Sequence, residues 1–288
     1  MSELLNILVS HLALEEPVHV VDVGASPIEG DAPYKELLEN GLCRVTGFEP
    51  QQDALAELNA RKSAQETYLP YAMGGGEKVK LHIYRHGGFT SVFAINEKVI
   101  RMIGRFRRAT RLQKTVDMET KRLDDLPEVA GIDFLKIDVQ GAEKLIIENG
   151  PESLKNAVAV QTEVRFIPLY EGEPTFGDLD NTLKKQGFWI HNFLPIKRVV
   201  LSSVYLQKLR NRAGRQIVDG DAFYVRNLYD TDSLSGLQLK KLAFIACSVM
   251  QSHDLVLHCI DLLTQRGLAD KELVPLYMQA LPERWVKE

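Results

Sequence analysis

The run Val18-His19-Val20-Val21-Asp22-Val23-Gly24-Ala25-Ser26 constrains the fold of this chain more than any other stretch. Its valines favour a pleated backbone. A nearly unbroken apolar run, without alternation, suits a parallel strand covered on both faces. Gly24 and Ala25 end the strand in a turn small enough for the backbone to approach a ligand closely. Asp22 sits inside the apolar run, where a carboxylate is costly to bury unless something pairs with it or hydrogen-bonds to it. An acid at the carboxyl end of a first strand, followed by glycine, points to a ligand crevice. The plain alternative is a turn with a capping Asp.

Further strands and helices alternate along the chain. Arg44–Phe48, Thr67–Met73, Lys78–Tyr84, Thr115–Thr120, Ile132–Val139, Ala157–Val164, Phe188–Phe193 and Ala222–Val225 read as strands. Helices are expected over Pro33–Asn40, over Asp53–Lys62 with Leu55 and Leu58 inward, over Glu97–Leu112, Gly141–Asn149 and Phe176–Gln186, with Ser26–Asp31 a loop. Such alternation predicts a doubly wound α/β sheet, whose ligands bind outside the carboxyl ends of the strands near the switch point. Asp22, Glu49, Asp138 and Glu163 all fall at or near expected strand ends.

An amphipathic lead-in helix is expected in residues 1–17, the sheet in 18–229, and a small helical appendage in 230–288. That appendage is a candidate cap on the sheet or a homodimer contact. The lead-in has no Lys or Arg and so lacks a signal peptide's basic start. The apolar stretch Leu242–Leu263 is broken by polar residues, so no membrane span is expected. The three cysteines are too few and scattered for a disulfide framework or zinc site, and a cytoplasmic protein is expected. With 35 Lys plus Arg against 39 Asp plus Glu, the chain lacks the overall basic field of a nucleic-acid binder.

The first turn is not the Gly-x-Gly-x-x-Gly of a dinucleotide site, and Pro27 supplies no amide hydrogen for a pyrophosphate. Glu49 ends the second strand, where a carboxylate accepts hydrogen bonds from vicinal ribose hydroxyls. In Asp133–Glu143, strand alternation puts Lys136 and Asp138 on one side, and Gln140-Gly141 forms the turn.

The chain resembles the FkbM family of S-adenosylmethionine-dependent methyltransferases. The resemblance rests on Val20–Ala25, Phe48-Glu49-Pro50, Arg122–Leu126 and Leu135–Glu143, with Glu163, Tyr170 and Gly187-Phe188 similar too. It spans about Pro17 to Arg226. It implies a Rossmann-like methyltransferase fold, mostly parallel with a late antiparallel strand, that methylates a hydroxyl oxygen, often on a sugar or polyketide. By position, Asp22, Gly24 and Ala25 would line the methionine end of S-adenosylmethionine and Glu49 would hold its ribose. Ala72 and Met73 would lie beside the adenine, and Asp138 and Gln140 would border the methyl group. The sequence departs from the family pattern at Ser26–Gly30.

Transfer to an alcohol needs a base, and Asp138 and Glu163 are the candidates, because two nearby carboxylates raise one another's pKa. Lys136 is placed to pair with either, or with Asp138 as a structural ion pair. A divalent metal between Asp138 and Glu163 is the minor alternative and none is assigned; His191 is an outside candidate for the base, and it, His82 and His86 read more plainly as packed. The run Lys98–Lys114 holds seven basic residues and no acid. The linker Lys197–Arg215 adds Lys197, Arg198, Lys208, Arg210, Arg212 and Arg215. These are either solvated faces or the seat of an anionic acceptor such as a nucleotide sugar or acidic glycan. The competing readings are a nicotinamide-dependent oxidoreductase and a non-catalytic binding module.

Overall fold

The computed structural model describes residues 1–25, 30–205 and 208–287. Ser26–Glu29, most of the first loop and of the departure from the family pattern, lie outside the described residues. In chain order, α1 (Glu3–His11) precedes β1 (Val18–Val23), α2 (Lys35–Glu39), β2 (Cys43–Phe48), α3 (Gln52–Arg61) and β3 (Glu66–Leu69). Then come β4 (Ala72–Met73), β5 (Lys78–Tyr84), α4 (Glu97–Ile103) and β6 (Leu112–Lys121). β7 (Phe134–Ile137), α5 (Glu143–Glu148), α6 (Pro151–Leu154), β8 (Ala159–Arg165), α7 (Phe176–Lys185) and β9 (Phe188–Phe193) follow. The chain closes with β10 (Arg198–Val199), β11 (Gln216–Ile217), β12 (Asp219–Arg226), α8 (Gly236–Ile245), α9 (His253–Gln265) and α10 (Leu273–Gln279).

The main sheet has seven strands in the order β3-β2-β1-β7-β8-β12-β9. The first five are parallel, and β12 runs antiparallel to both β8 and β9. This is the expected doubly wound α/β architecture, mostly parallel with a late antiparallel strand. The chain winds outward from β1 to β3, then returns to β7 on β1's other side, so the switch point lies between β1 and β7.

Both faces of the sheet are covered, which explains why β1 reads as an unbroken apolar run. Val18, Val20, Phe134, Ala159 and Phe223 pack on one side with Leu5 and Leu8 of α1 and with α8 and α9. Val21, Val23, Leu135, Ile137 and Val160 pack on the other with Ile146, Ile147, Leu179 and Leu183. The C-terminal helices therefore share one core with α1 and the sheet. Each fully buried leucine or isoleucine there is worth roughly 1.5–3 kcal/mol. Buried Lys241 of α8 ties that layer to the amino end of β7 through Asp133 (2.8 Å), and it also meets Glu16 (2.6 Å).

Three local expectations are corrected. Thr67–Met73 is not one strand: Pro70 supplies no ladder N–H, and Ala72–Met73 turns away to pair with β6 instead. The Arg-rich helix stops at Ile103, where Gly104 takes the left-handed conformation (φ 69°) and its N–H caps Ile100 O at 3.0 Å. Leu112 belongs to β6, which is longer than the expected Thr115–Thr120 and pairs antiparallel with β5. α3 lies on the surface and buries none of its residues fully, and Leu55 and Leu58 are its half-buried, inward leucines as expected.

Candidate active site

The ends of β1, β2 and β7 are drawn together by Gly24. It sits at φ 83°, and a Cβ there would lie 2.1 Å from the Asp138 carbonyl oxygen. Glycine is thus required first by the backbone of the neighbouring turn. On the other side, the Gly24 and Ala25 N–H groups both donate to Phe48 O, at 3.1 and 3.2 Å. Over these three strand ends opens a cavity of ≈ 570 Å³. Asp22, Gly24, Ala25, Glu49, Ala72, Met73, Lys136, Asp138 and Gln140 all line it; Glu163 does not. His82, His86 and His191 lie off the cavity, and His191 Nε2 meets Ser252 Oγ at 2.7 Å.

Parallel register aligns Asp22 of β1 with Lys136 of β7 and Gln161 of β8, so the three side chains form a row on one sheet face. Lys136 Nζ donates to Asp22 Oδ1 at 2.9 Å. The partner expected from sequence was Asp138 or Glu163, but register sets Asp22 directly beside Lys136. Burial opposes the lysine's charge, yet the Asp22, Asp138 and Asp221 carboxylates outweigh it and hold the ammonium above its ordinary value. Tyr34 donates to Asp22 Oδ2 at 2.7 Å, so both oxygens of this buried acid are occupied. Burial, then the Asp22 charge, push the Tyr34 hydroxyl well above its usual range and keep it a donor.

Gln161 completes the row. The residue is 8% exposed, it lines the cavity, and its buried Oε1 has no hydrogen-bond partner among the described residues. An unpaired buried amide oxygen costs about 1–3 kcal/mol. Its position marks it as a group awaiting a donor in the cavity. Sequence reading passed over Gln161, Tyr34 and Asp221, which also line the cavity.

The other half of the cavity is apolar, walled by Phe48, Tyr71, Met73, Val92 and Met118. Glu49 stands at its edge, 3% exposed, with Oε1 accepting from Gln51 N at 2.7 Å. Burial raises its pKa. An apolar slot for a flat base, a carboxylate at its rim for ribose hydroxyls and an acidic end for a cation together fit a nucleoside sulfonium.

Behind the wall lies a second tier of acids. Gln140 holds a left-handed backbone (φ 61°) and bridges the tiers. Its Nε2 donates to Asp138 Oδ1 (2.9 Å) and Glu163 Oε2 (3.1 Å), and its Oε1 accepts from Arg165 Nη2 (2.8 Å). Arg165 also pairs with Glu163 (2.5 Å), Glu173 (2.9 Å) and Asp219 (3.3 Å). Burial pushes Glu163 well above the usual carboxylate range and Glu173 to about 7, against the pull of Arg165. Asp138, Glu143 and Glu163 bring carboxylate oxygens within 4.8 Å of one another, the spacing of groups able to share an ion. Each already accepts internal donors, Glu143 from the Val139 and Gly141 amides. Arg165 was legible in principle, since it alternates onto the same face of β8 as Glu163.

A family model described as the methyltransferase FkbM domain matches residues 22–190. The 2-O-methyltransferase NoeI of Sinorhizobium fredii (strain NBRC 101917 / NGR234) is 41% identical over 66 residues. That match covers 22% of this chain and 27% of NoeI. Among solved structures, magnesium protoporphyrin IX methyltransferase (ChlM) from Synechocystis PCC 6803 with bound SAM aligns at 12% identity and TM-score 0.38. It covers 77% of this chain and 76% of that one. A complex between the Haloferax volcanii Trm112 methyltransferase activator and a methyltransferase aligns at 11% identity and TM-score 0.40, covering 77% and 88%.

Proposed function

The chain belongs to the FkbM methyltransferase family, and on that premise we propose that it methylates a hydroxyl of a sugar, glycan or related metabolite, with Asp138 as the base. The cofactor is S-adenosylmethionine. One observation carries the reading: Asp138 lies on the wall of the same cavity as the Asp22-Gly24-Ala25 turn and Glu49. The 2-O-methylation named for NoeI supports oxygen as the accepting atom.

When bound, the cofactor supplies a methyl on a sulfonium, whose departing thioether keeps the bonding pair. The chain's own work is to hold an acceptor oxygen in line with that methyl and to take its proton. Asp138 takes the proton on its carboxylate as the acceptor oxygen forms its new C–O bond, and later releases it to water. Gln140 Nε2 pins Asp138 Oδ1, leaving the carboxylate little rotational freedom. Glu163, one hydrogen bond behind and held by Arg165, positions Gln140 and does not meet the acceptor. The Gln161 amide suits a hydroxyl-rich acceptor, which supplies the O–H donor that Oε1 lacks.

Labelled methyl transfer to a panel of sugars, nucleotide sugars and glycolipids tests this. Asp138→Asn is expected to lower transfer by about 10²–10⁴-fold, with S-adenosylhomocysteine affinity retained by calorimetry. Full transfer by Asp138→Asn would remove the base assignment. Heat on titrating a nicotinamide dinucleotide, with none for S-adenosylhomocysteine, would remove the methyltransferase reading itself.

A further inference from the structure

We propose that the surface built from residues 98–116, 197–205 and 208–211 docks onto an anionic lipid membrane beside the mouth of the cavity. It goes beyond the methyl-transfer reading and does not depend on Asp138's role. The two segments are separate in sequence and joined in space. Ser202 N donates to Met102 O at 2.7 Å, and Ile100, Ile103 and Val199 share a small core. Residues 98–114 and 197–215 each lack an acid, in a chain whose net charge is −4. Arg101, Arg107, Arg108, Arg111, Lys114 and Arg198 are all exposed. Among the described residues, the ion pair recorded in these segments is Lys197 with Asp219 at 3.1 Å.

Exposed apolar residues interleave with these cations along both segments. Of the fifteen exposed large apolar residues described, eight lie here, including Met102, Phe106, Leu112 and Leu201. Val204 is 93% exposed and Tyr205 62%. Scattered surface apolar residues are normal, but a cluster of them marks an interaction site. A soluble polyanion would satisfy the arginines and leave the apolar chains in water. A lipid interface rewards both, burying apolar groups at the headgroup boundary while anionic headgroups attract Lys and Arg. The patch also adjoins the active site. Phe106 packs on Phe89 (5.6 Å between ring centres), and the Gly87, Gly88 and Thr90 turn around Phe89 lines the cavity. A membrane-borne hydroxyl held at this surface stands at the entrance.

The experiment is flotation of the full chain with vesicles of phosphatidylcholine alone, or of phosphatidylcholine mixed with phosphatidylglycerol, at low and physiological salt. The protein is expected to float with the anionic vesicles and not with the neutral ones. Arg107→Glu/Arg108→Glu/Arg111→Glu should weaken partitioning by roughly 100-fold. Val204→Ser/Tyr205→Ser, which changes no charge, should weaken it by about tenfold. Wild-type protein that stays down with anionic vesicles overturns the proposal, whatever the variants do. So does a Val204→Ser/Tyr205→Ser variant that floats like wild type and elutes unchanged from heparin, because the surface would then read charge alone and serve an acidic glycan. Unchanged S-adenosylhomocysteine binding by the variants would show that they remain folded.

Discussion

Gln140 carries two roles that a pair of substitutions separates. Its side chain ties Asp138, Glu163 and Arg165 together, and its backbone is left-handed at φ 61°. Gln140→Ala removes three hydrogen bonds to charged groups, each worth about 1.5–3 kcal/mol in a buried site. The side chain borders the cavity, so water reaches the stranded groups and the expected net loss is about 3 kcal/mol. Gln140→Gly removes the same bonds and also relieves the left-handed strain. It should therefore be more stable than Gln140→Ala by about 1 kcal/mol, where glycine ordinarily costs stability. Urea unfolding followed by circular dichroism measures both, provided the slope with denaturant stays constant. An alanine variant equal to or more stable than the glycine variant refutes the strain argument. Both variants within about 0.5 kcal/mol of wild type would refute the bridge.

Gly24→Ala places a Cβ against the Asp138 carbonyl, a backbone atom that cannot rotate away, at φ 83°. A loss of at least about 3 kcal/mol is expected from the clash and the left-handed backbone together, with weaker S-adenosylhomocysteine binding; melting and calorimetric titration at wild-type values would contradict it. Glu173, raised by burial to about 7, holds its proton more tightly folded than unfolded. Its contribution to stability is thus present below its ordinary value and lost as pH rises through about 7, a change of about 3 kcal/mol. Denaturant midpoints of wild type and Glu173→Gln should therefore diverge across that window, and parallel curves would sink the assignment.

Most of the fold was legible because its signals are local. The β1 run and the helix expected over Phe176–Gln186 each rest on adjacent residues, and the structure reproduces them. Non-local pairing was not. Pro70 signalled a break, but nothing nearby indicates that Ala72–Met73 should join β6. The resemblance implies a late antiparallel strand, but no local signal puts β12 between β8 and β9, since that place depends on a return across roughly thirty residues. The Arg-rich segment failed for another reason. Its basic residues recur at helical spacing past Gly104, but a glycine that reaches φ 69° ends a helix at once.

The acids show the same divide. Asp22, Glu49, Asp138 and Glu163 stand near strand ends, as alternation predicts, but the sheet sorts them into two tiers. Asp22, Glu49 and Asp138 face the cavity, while Glu163 joins Glu173 and Asp219 around one guanidinium behind it. Burial pushes Glu163 and Glu173 upward against the pull of Arg165, and the neighbouring carboxylates add to the push. A protonated or fully paired acid makes a poor proton acceptor for a substrate that it does not touch. The same group makes a firm anchor for Gln140, whose amide then fixes the orientation of Asp138. In the proposed mechanism, the division of labour between base and anchor follows from the placement of a single arginine, two residues beyond Glu163 on the same strand.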